Sequence, residues 1–235
     1  MNWEEISRTI KANRRRGYIV SLAYIFCLLM LLIITGGPIV NRPSYMSLSA
    51  EEMSAKYPVY EWNPPYITIK EPKIEEVFRG ADAVIVGVVK EVLPEYSVNL
   101  IYDSNTPEGQ IYEKSKGDGV RTSASFLQYR VHVIGDITEK MFKNDELTVQ
   151  DIIIAVSSEL KGYVPEPEPD MVIVTPVTKG KGSHEGRYFF SKYGFYYVTE
   201  DGYVLPAYVE DEEYKFAGRK LSYLKKKVKE IISEK

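Results

Sequence analysis

The sequence has little cysteine and little histidine. Cys27 is the only cysteine and lies in an apolar run, so the rest of the chain can form no internal disulfide. This argues against the disulfide-rich classes of small ectodomain and leaves the fold to rely on its hydrophobic core. The two histidines, His132 and His184, lack the short ligand spacing of zinc motifs. We therefore predict no metal site and no cofactor.

Basic residues are not in excess either. The chain has 30 Lys and Arg residues against 33 Asp and Glu residues. Five of the basic residues but only two of the acidic ones stand within residues 1–16, so the remainder of the chain is acidic. An acidic domain lacks the electrostatic footprint of a nucleic-acid-binding protein, and we exclude that class of partner.

A long uncharged run occupies residues 17–41. As a helix that rises about 1.5 Å per residue, it is long enough to cross a hydrocarbon layer of roughly 30 Å. The arginines at 14–16 precede it and favour a cytoplasmic N-terminus. A cleaved signal peptide is the alternative, but its apolar core is usually shorter, about 7–15 residues. We predict a cytoplasmic tail at 1–16, a single-pass anchor in the lipid bilayer of the cell membrane at 17–41, and an extracytoplasmic remainder.

Prolines are dense between this run and the first strong element. That composition favours extended chain, so residues 42–72 are predicted to form a stalk with a helical turn near 49–53. The globular domain is predicted to cover 73–235. It begins with a helix whose apolar face carries Ile74, Val77 and Phe78.

Most of the domain shows strand patterns. Ala83 to Val92 is nearly continuous in apolar residues, which is typical of a strand buried on both faces. Phe126 to Ile134 alternates, with Gln128, Arg130 and His132 on the polar face. Further strands are predicted at 147–156, 171–177, 187–193, 195–199 and 203–209. Asp201-Gly202 favours a hairpin turn between the last two.

Two other features complete the domain. A helix is predicted from 218 to 235, with Leu221, Leu224, Val228 and Ile231 as its apolar stripe and lysines elsewhere. We expect it to dock on the domain with its lysines in water, rather than on a membrane surface or a partner. Long connections are predicted at 97–124 and 157–170, and the first is long enough to be functional, mobile or to contain a further strand.

This order of elements resembles a set of uncharacterised extracytoplasmic proteins of Gram-positive bacteria with a netrin-like, OB-type barrel. The matching segments are 74–77 (IEEV), 81–89 (ADAVIVGVV), 129–133 (YRVHV) with Gly135-Asp136, 146–149 (ELTV), and 186–190 (GRYFF) with the hairpin after it. The resemblance covers roughly residues 73–209 and implies a five-stranded closed or partly open barrel that hosts binding. It does not imply protease inhibition, because the cysteines of the animal inhibitors are missing here.

The predicted fold class is therefore mainly β. It consists of one N-terminal transmembrane helix, then an OB-like (netrin-like) β-barrel with a flanking N-terminal helix and a C-terminal amphipathic helix.

No motif for catalysis passes inspection. The Gly-Lys stretch at 179–186 fails the phosphate-loop pattern because Gly182 follows Lys181, and Ser183 next to His184 is sequence adjacency without a nucleophile elbow. A calcium loop starting at Asp103 fails because Glu108 stands where glycine is required. We predict that the protein is not an enzyme.

Tyrosines are the remaining candidates for a binding site. Five tyrosines lie in or beside the last predicted strands: Tyr188, Tyr193, Tyr196, Tyr197 and Tyr203. Tyr208 lies near the end of the last of these strands. Alternate residues of a strand point to opposite faces, so we expect that Tyr196 and Tyr197 are not both in the core. Exposed tyrosines can form a stacking platform for sugar rings or a partner protein; ordinary packing on strands is the alternative.

Three functions remain open on this reading. The first is a non-catalytic binding or interaction module whose ligand is a glycan or a surface protein. The second is an accessory subunit of a larger membrane complex, in which the anchor helix makes the contact. The third is a hydrolase of the cell envelope with an unrecognised site.

Overall fold

The computed structural model describes residues 43–61, 72–100, 104–115, 121–141, 150–208 and 215–234. Within these ranges there are four α-helices and seven strands. The helices are α1 (Ala50–Lys56), α2 (Ile74–Gly80), α3 (Pro107–Ser115) and α4 (Leu221–Ser233). The strands are β1 (Ala83–Asn99), β2 (Ser123–Asp136), β3 (Asp151–Ser157), β4 (Val172–Lys179), β5 (Arg187–Phe190), β6 (Tyr196–Val198) and β7 (Val204–Pro206).

Five of the strands close into a ring. β1 pairs with β2, β2 with β3, β3 with β5, β5 with β4, and β4 returns to the first half of β1. Only the β3–β5 pair is parallel among these neighbours. The short strands β6 and β7 extend the sheet from the start of β4. The ring leaves its strands with few unpaired edges, which is how closed sheets avoid edge-to-edge association.

The interior of the ring is filled by alternate residues of its strands, as their period of two requires. Leu127, Tyr129, Val131 and Val133 of β2 belong to this interior cluster, which confirms the faces predicted for that strand. Val164, in the connection from β3 to β4, joins the same cluster, and the neighbouring Pro165 and Pro167 are buried. This connection therefore packs on the ring.

A second core lies outside the ring, where α2 and α4 cover the sheet. Val84 and Val86 of β1 point into it and meet Phe78 of α2 and Leu224 and Val228 of α4. The first half of β1 is thus buried on both faces, which explains its nearly continuous apolar sequence. The predicted docking of the C-terminal helix through its apolar stripe is confirmed, because its buried residues are Leu224, Val228 and Ile231.

Residues 43–61 pack on the domain, whereas the sequence pattern predicted a stalk. Tyr57 belongs to the interior cluster, and the Tyr60 amide donates to the Ala207 carbonyl at 2.9 Å. Ser44 donates its amide and its hydroxyl to Asp201, at 2.7 and 2.9 Å. The predicted helical turn is α1, which begins with a capping box between Ser49 and Glu52. The rest of the predicted stalk, 62–71, lies outside the described residues.

The predicted connection at 97–124 is partly regular structure. β1 runs through it to Asn99, α3 follows, and β2 begins at Ser123, while 101–103 and 116–120 lie outside the described residues. β1 is 17 residues long and remains paired with β2 through three register shifts. Such bulges bend and twist a strand. With them, β1 stays paired with β2 beyond Val92, where the run of apolar residues predicted that the strand ends.

The predicted fold class included a transmembrane helix, and this part of the prediction has to be corrected. No helix in the described ranges is long and apolar enough to cross a membrane. Even the 13 residues of α4 span only about 20 Å and include four lysines. The predicted tail at 1–16 and anchor at 17–41 lie outside the described residues. The described chain is mainly β sheet with four helices, and it gives no support to a transmembrane helix.

Gly87 is required by the close approach of β1 and β2. A Cβ at this position would overlap the Val131 side chain and lie 3.1 Å from the His132 carbonyl oxygen. We expect Gly87→Ala to lower the free energy of unfolding by about 1–3 kcal/mol, the usual effect of overpacking a core, in urea titrations. Gly80→Ala is the matched control, since nothing lies within 4 Å of its Cβ. Equal midpoints for the two variants would contradict this interpretation.

Asp201 links the N-terminal segment to the β6–β7 turn, and its bonds depend on ionisation. A hydrogen bond from the Thr199 hydroxyl, with those from Ser44, lowers the pKa of Asp201 to about 2 from the ordinary 3.8. Because the pKa of the folded state is the lower one, the stabilisation is complete above about pH 4 and is lost as the pH falls through 2. We expect the Ser44 amide resonance in NMR spectra to titrate with a midpoint near 2.

The control for this titration is a variant in which a different carboxylate is replaced. Asp201→Asn should abolish the titration of the Ser44 resonance, whereas Asp170→Asn, which changes an exposed residue of another loop, should preserve it. A midpoint near 4 for Ser44 in the unaltered protein would show that Asp201 does not hold this segment.

Candidate functional site

Two of the tyrosines predicted as ligand-binding residues are completely buried. Tyr197 points into the ring, and its hydroxyl donates to the Pro58 carbonyl at 3.0 Å. Tyr196 points outward, but there it packs edge-on against Phe216, with the ring centroids 6.1 Å apart. The expectation that one of the two faces water is wrong, because β6 is covered on both sides.

Tyr188, Tyr193 and Tyr203 are half-buried and each has its own neighbours. Tyr188 packs on the interior cluster and lines a pocket of about 410 Å³ with Lys140 and Lys179. The Tyr193 ring meets the edge of Tyr208, and the Tyr203 ring meets the edge of Tyr45. The structure therefore gives these three tyrosines separate packing roles. Their binding of a ligand stays a prediction.

A different group of rings lies on the outer surface of β1, β2 and β5. The rings of Tyr96 and Phe126 are stacked, with centroids 5.2 Å apart and planes inclined by 22°. His184 presents its ring edge-on to Phe126 at 4.8 Å and to Phe189 at 4.9 Å. All four rings are half-buried. With Arg187, they form what we call the outer aromatic site.

Strand pairing brings these residues together. Tyr96 of β1 stands opposite Phe126 of β2, so that their side chains share one face of the sheet. Phe126 alternates with the buried Leu127, and Phe189 of β5 alternates with the buried Phe190. Because the alternate residues fill the ring interior, Phe126 and Phe189 must point outward.

His184 reaches the site from the connection between β4 and β5. It ends a short 3-10 helix, Gly182–His184, within a tight turn. Gly180 is needed there, since a Cβ on it would overlap the His184 carbonyl oxygen. The glycines that resembled a phosphate loop therefore shape the turn that presents His184.

Polar contacts hold the site in a defined geometry. A hydrogen bond of 3.0 Å joins the Tyr96 hydroxyl and His184 Nδ1. The guanidinium of Arg187 stacks over the Tyr96 ring, with Cζ 3.9 Å from the centroid. Burial raises the pKa of the Tyr96 hydroxyl, and the positive charge of Arg187 partly opposes that shift. The hydroxyl is therefore neutral near pH 7 and available as a hydrogen-bond partner.

Arg187 is itself positioned by a buried amide. Its Nε donates to Gln128 Oε1 at 3.0 Å, and Gln128 Nε2 donates to the Pro94 carbonyl at 2.7 Å. Both ends of the Gln128 amide are thus engaged, which fixes its orientation. This chain of contacts holds the guanidinium against Tyr96.

The two histidines do not form a joint metal site. His132 lies on β2, with Nδ1 2.7 Å from Asp151 Oδ1, whereas His184 belongs to the outer aromatic site. Nowhere in the described ranges do three or more His, Cys, Asp or Glu residues form a group that could hold a metal ion. The groups gathered at the outer aromatic site are ring faces and one guanidinium, which are suited to stacking and to hydrogen bonding with a ligand.

The outer aromatic site was not predicted from the sequence, although part of its pattern is present there. The alternation of 126–134 placed Gln128 on the outer face, and that same alternation puts Phe126 there too. Tyr96 could not be identified from the sequence, because no strand was predicted beyond Val92. Its pairing with Phe126 depends on the bulged continuation of β1. The sequence suggested His184 only as a metal ligand or a neighbour of Ser183, and neither role points to a cluster of rings.

The bond between Tyr96 and His184 can be tested by removing one hydroxyl. We expect Tyr96→Phe to lower the free energy of unfolding by about 0.5–1.5 kcal/mol, the usual contribution of one hydrogen bond. The ¹⁵N shifts of the His184 ring should change with it. Tyr223→Phe is the control, because that tyrosine is exposed on α4. Unchanged His184 shifts in Tyr96→Phe would contradict the bond.

Comparison with known proteins does not extend the resemblance stated above. No family model matches the chain, and a search of curated proteins found no match. The netrin-like resemblance thus stays a prediction. Since a fold hosts many functions, the function has to be argued from the outer aromatic site itself.

Proposed function

We propose that this domain is a non-catalytic binding module that holds a ring-shaped ligand on the outer aromatic site. The observation that carries the proposal is the grouping of four half-buried rings at one place on the surface. Rings of this kind usually pack within a core, and a group of them that reaches the surface offers a place where another molecule can pack.

The location of the site supports the proposal. Tyr96 and Phe126 stand near the β1–β2 connection, and His184 belongs to the β4–β5 connection. In OB-type barrels, whose five strands close in a ring, these two connections flank the surface that binds oligonucleotides and oligosaccharides. By analogy with that fold the ligand is a saccharide, because the domain lacks the excess of basic residues that would neutralise the many phosphates of a nucleic acid.

The geometry suits binding more than chemistry. Pairwise ring contacts and the amide of Gln128 hold the side chains in place before a ligand arrives. Preorganised rings lose little conformational entropy on binding, which favours affinity. The extracytoplasmic location of this module is a prediction from the sequence, as is its assignment to a netrin-like family.

A ligand screen tests the proposal. We expect oligosaccharides from a mixed panel to shift the amide resonances of residues around Phe126, Phe189 and His184. Phe126→Leu keeps the apolar volume but removes the ring face. The variant should weaken binding about two- to tenfold, which corresponds to the usual 0.5–1.5 kcal/mol of an aromatic contact.

Tyr223→Leu is the matched control, because it removes an exposed ring from α4 on another part of the domain. It should leave affinity unchanged. Binding that maps to α4, or that survives Phe126→Leu at full strength, would overturn the proposal.

A further inference from the structure

We propose that Arg187 makes the outer aromatic site selective for an acidic saccharide, with the guanidinium holding the carboxylate of a uronic-acid ring. The inference rests on the proposed binding function and deepens it by naming the ligand class. It follows from the hydrogen bonds and the ring contact of the Arg187 side chain.

Arg187 has hydrogen-bond capacity that the described residues do not use. Only its Nε is bonded, to Gln128, and the two terminal nitrogens have neither a hydrogen bond nor an ion pair within the described part of the chain. A guanidinium carries five N–H donors in a planar fork that matches a carboxylate. The unused donors are those that can make the bidentate contact.

The neighbouring arginines are neutralised, unlike Arg187. Arg130 pairs with Glu91 at 2.7 Å, and Arg121 pairs with Glu159. Arg187 instead stacks on Tyr96. Of these three arginines, Arg187 is the one whose guanidinium has no carboxylate partner within the described residues, so it can pair with a carboxylate of a ligand.

The guanidinium is also held in place before binding. Stacking on Tyr96 restricts its plane, and the bond to Gln128 restricts its rotation, while Gln128 is itself buried and bonded to Pro94. A fork fixed in this way gives up less entropy when it binds an anion than a mobile surface arginine does.

The surface around Arg187 favours a ring over an extended peptide. Tyr96 and Phe126 are partners in the β1–β2 ladder, and β5 pairs on both sides, with β3 and β4. β2 and β5 are paired on both sides, so a peptide strand cannot add directly beside Phe126 or Arg187, although the second half of β1 pairs with β2 alone. On β2 and β5 the groups left for recognition are ring faces and the guanidinium, which suit a pyranose ring that carries a carboxylate.

The test compares two ligands with the same sugar rings, one with free carboxylates and one with neutral methyl esters in their place. Trigalacturonate and its methyl ester are titrated into the protein by calorimetry and NMR. We expect the acid to bind at least about tenfold more tightly than the ester, the usual range for a hydrogen bond to a charged group. The shifts should map to the outer aromatic site, and affinity should fall with added salt.

Variants assign this selectivity to Arg187. Arg187→Gln should bind the acid and the ester equally, and Arg187→Lys should recover only part of the difference, since an ammonium is not a fork. Arg219→Gln is the matched control, because Arg219 also lies over a tyrosine ring, that of Tyr223, but at a different place. It should keep the full preference for the acid.

The remaining outcomes separate the two proposals. Equal binding of the acid and the ester at the site would overturn the carboxylate inference and leave the binding function supported. Tighter binding of a glutamate-rich peptide than of trigalacturonate would overturn the saccharide class. Binding that maps away from Phe126 and Arg187 would overturn this inference, and the ligand panel then decides the binding function separately.

Discussion

The structure depends on the double pairing of β1. Its first half forms ladders with β2 on one side and with β4 on the other, and these two ladders close the ring. Gly87 lies where β1 and β2 approach closely, and a Cβ there would overlap the Val131 side chain. Without the closure, the alternate residues of five strands would not share one interior, and the hydrophobic contribution of that core would be lost.

The same strand also divides the outer surface into two regions. Over Val84 and Val86 the outer face is covered by α2 and α4, and a second core forms there. Beyond Val89 the strand pairs with β2 alone, and within the described residues the second core includes none of its side chains. Tyr96, in that second half, remains half-buried. The outer aromatic site thus lies beyond the part of the sheet that α2 and α4 cover.

The arginines of that region differ in whether a carboxylate neutralises their charge. Arg130 and Arg121 have carboxylate partners, so they contribute little net field. Arg187 has an aromatic ring and an amide as its partners, neither of which cancels its charge. Arg187 is thus a cation held in place against a ring face, and this is a distinct chemical feature of the described surface.

Several elements could be predicted because their signals are local. The alternation in β2, the apolar run at the start of β1, the Asp201-Gly202 turn and the stripe of α4 all depend on neighbours in sequence, and each appears in the structure. The predicted stalk shows the limit. A proline-rich composition indicates extended chain, but it does not say that Tyr57 inserts into a core built by distant strands.

By itself, the sequence determined which residues alternate, where turns occur, and that the chain makes a mainly β domain with an amphipathic C-terminal helix. Only the tertiary structure decided which faces are covered. Tyr196 and Tyr197 are both buried because separate cores meet on the two sides of β6. Tyr96 and His184 meet although 88 positions separate them. Burial and long-range pairing depend on the whole packing arrangement, and no local pattern encodes them.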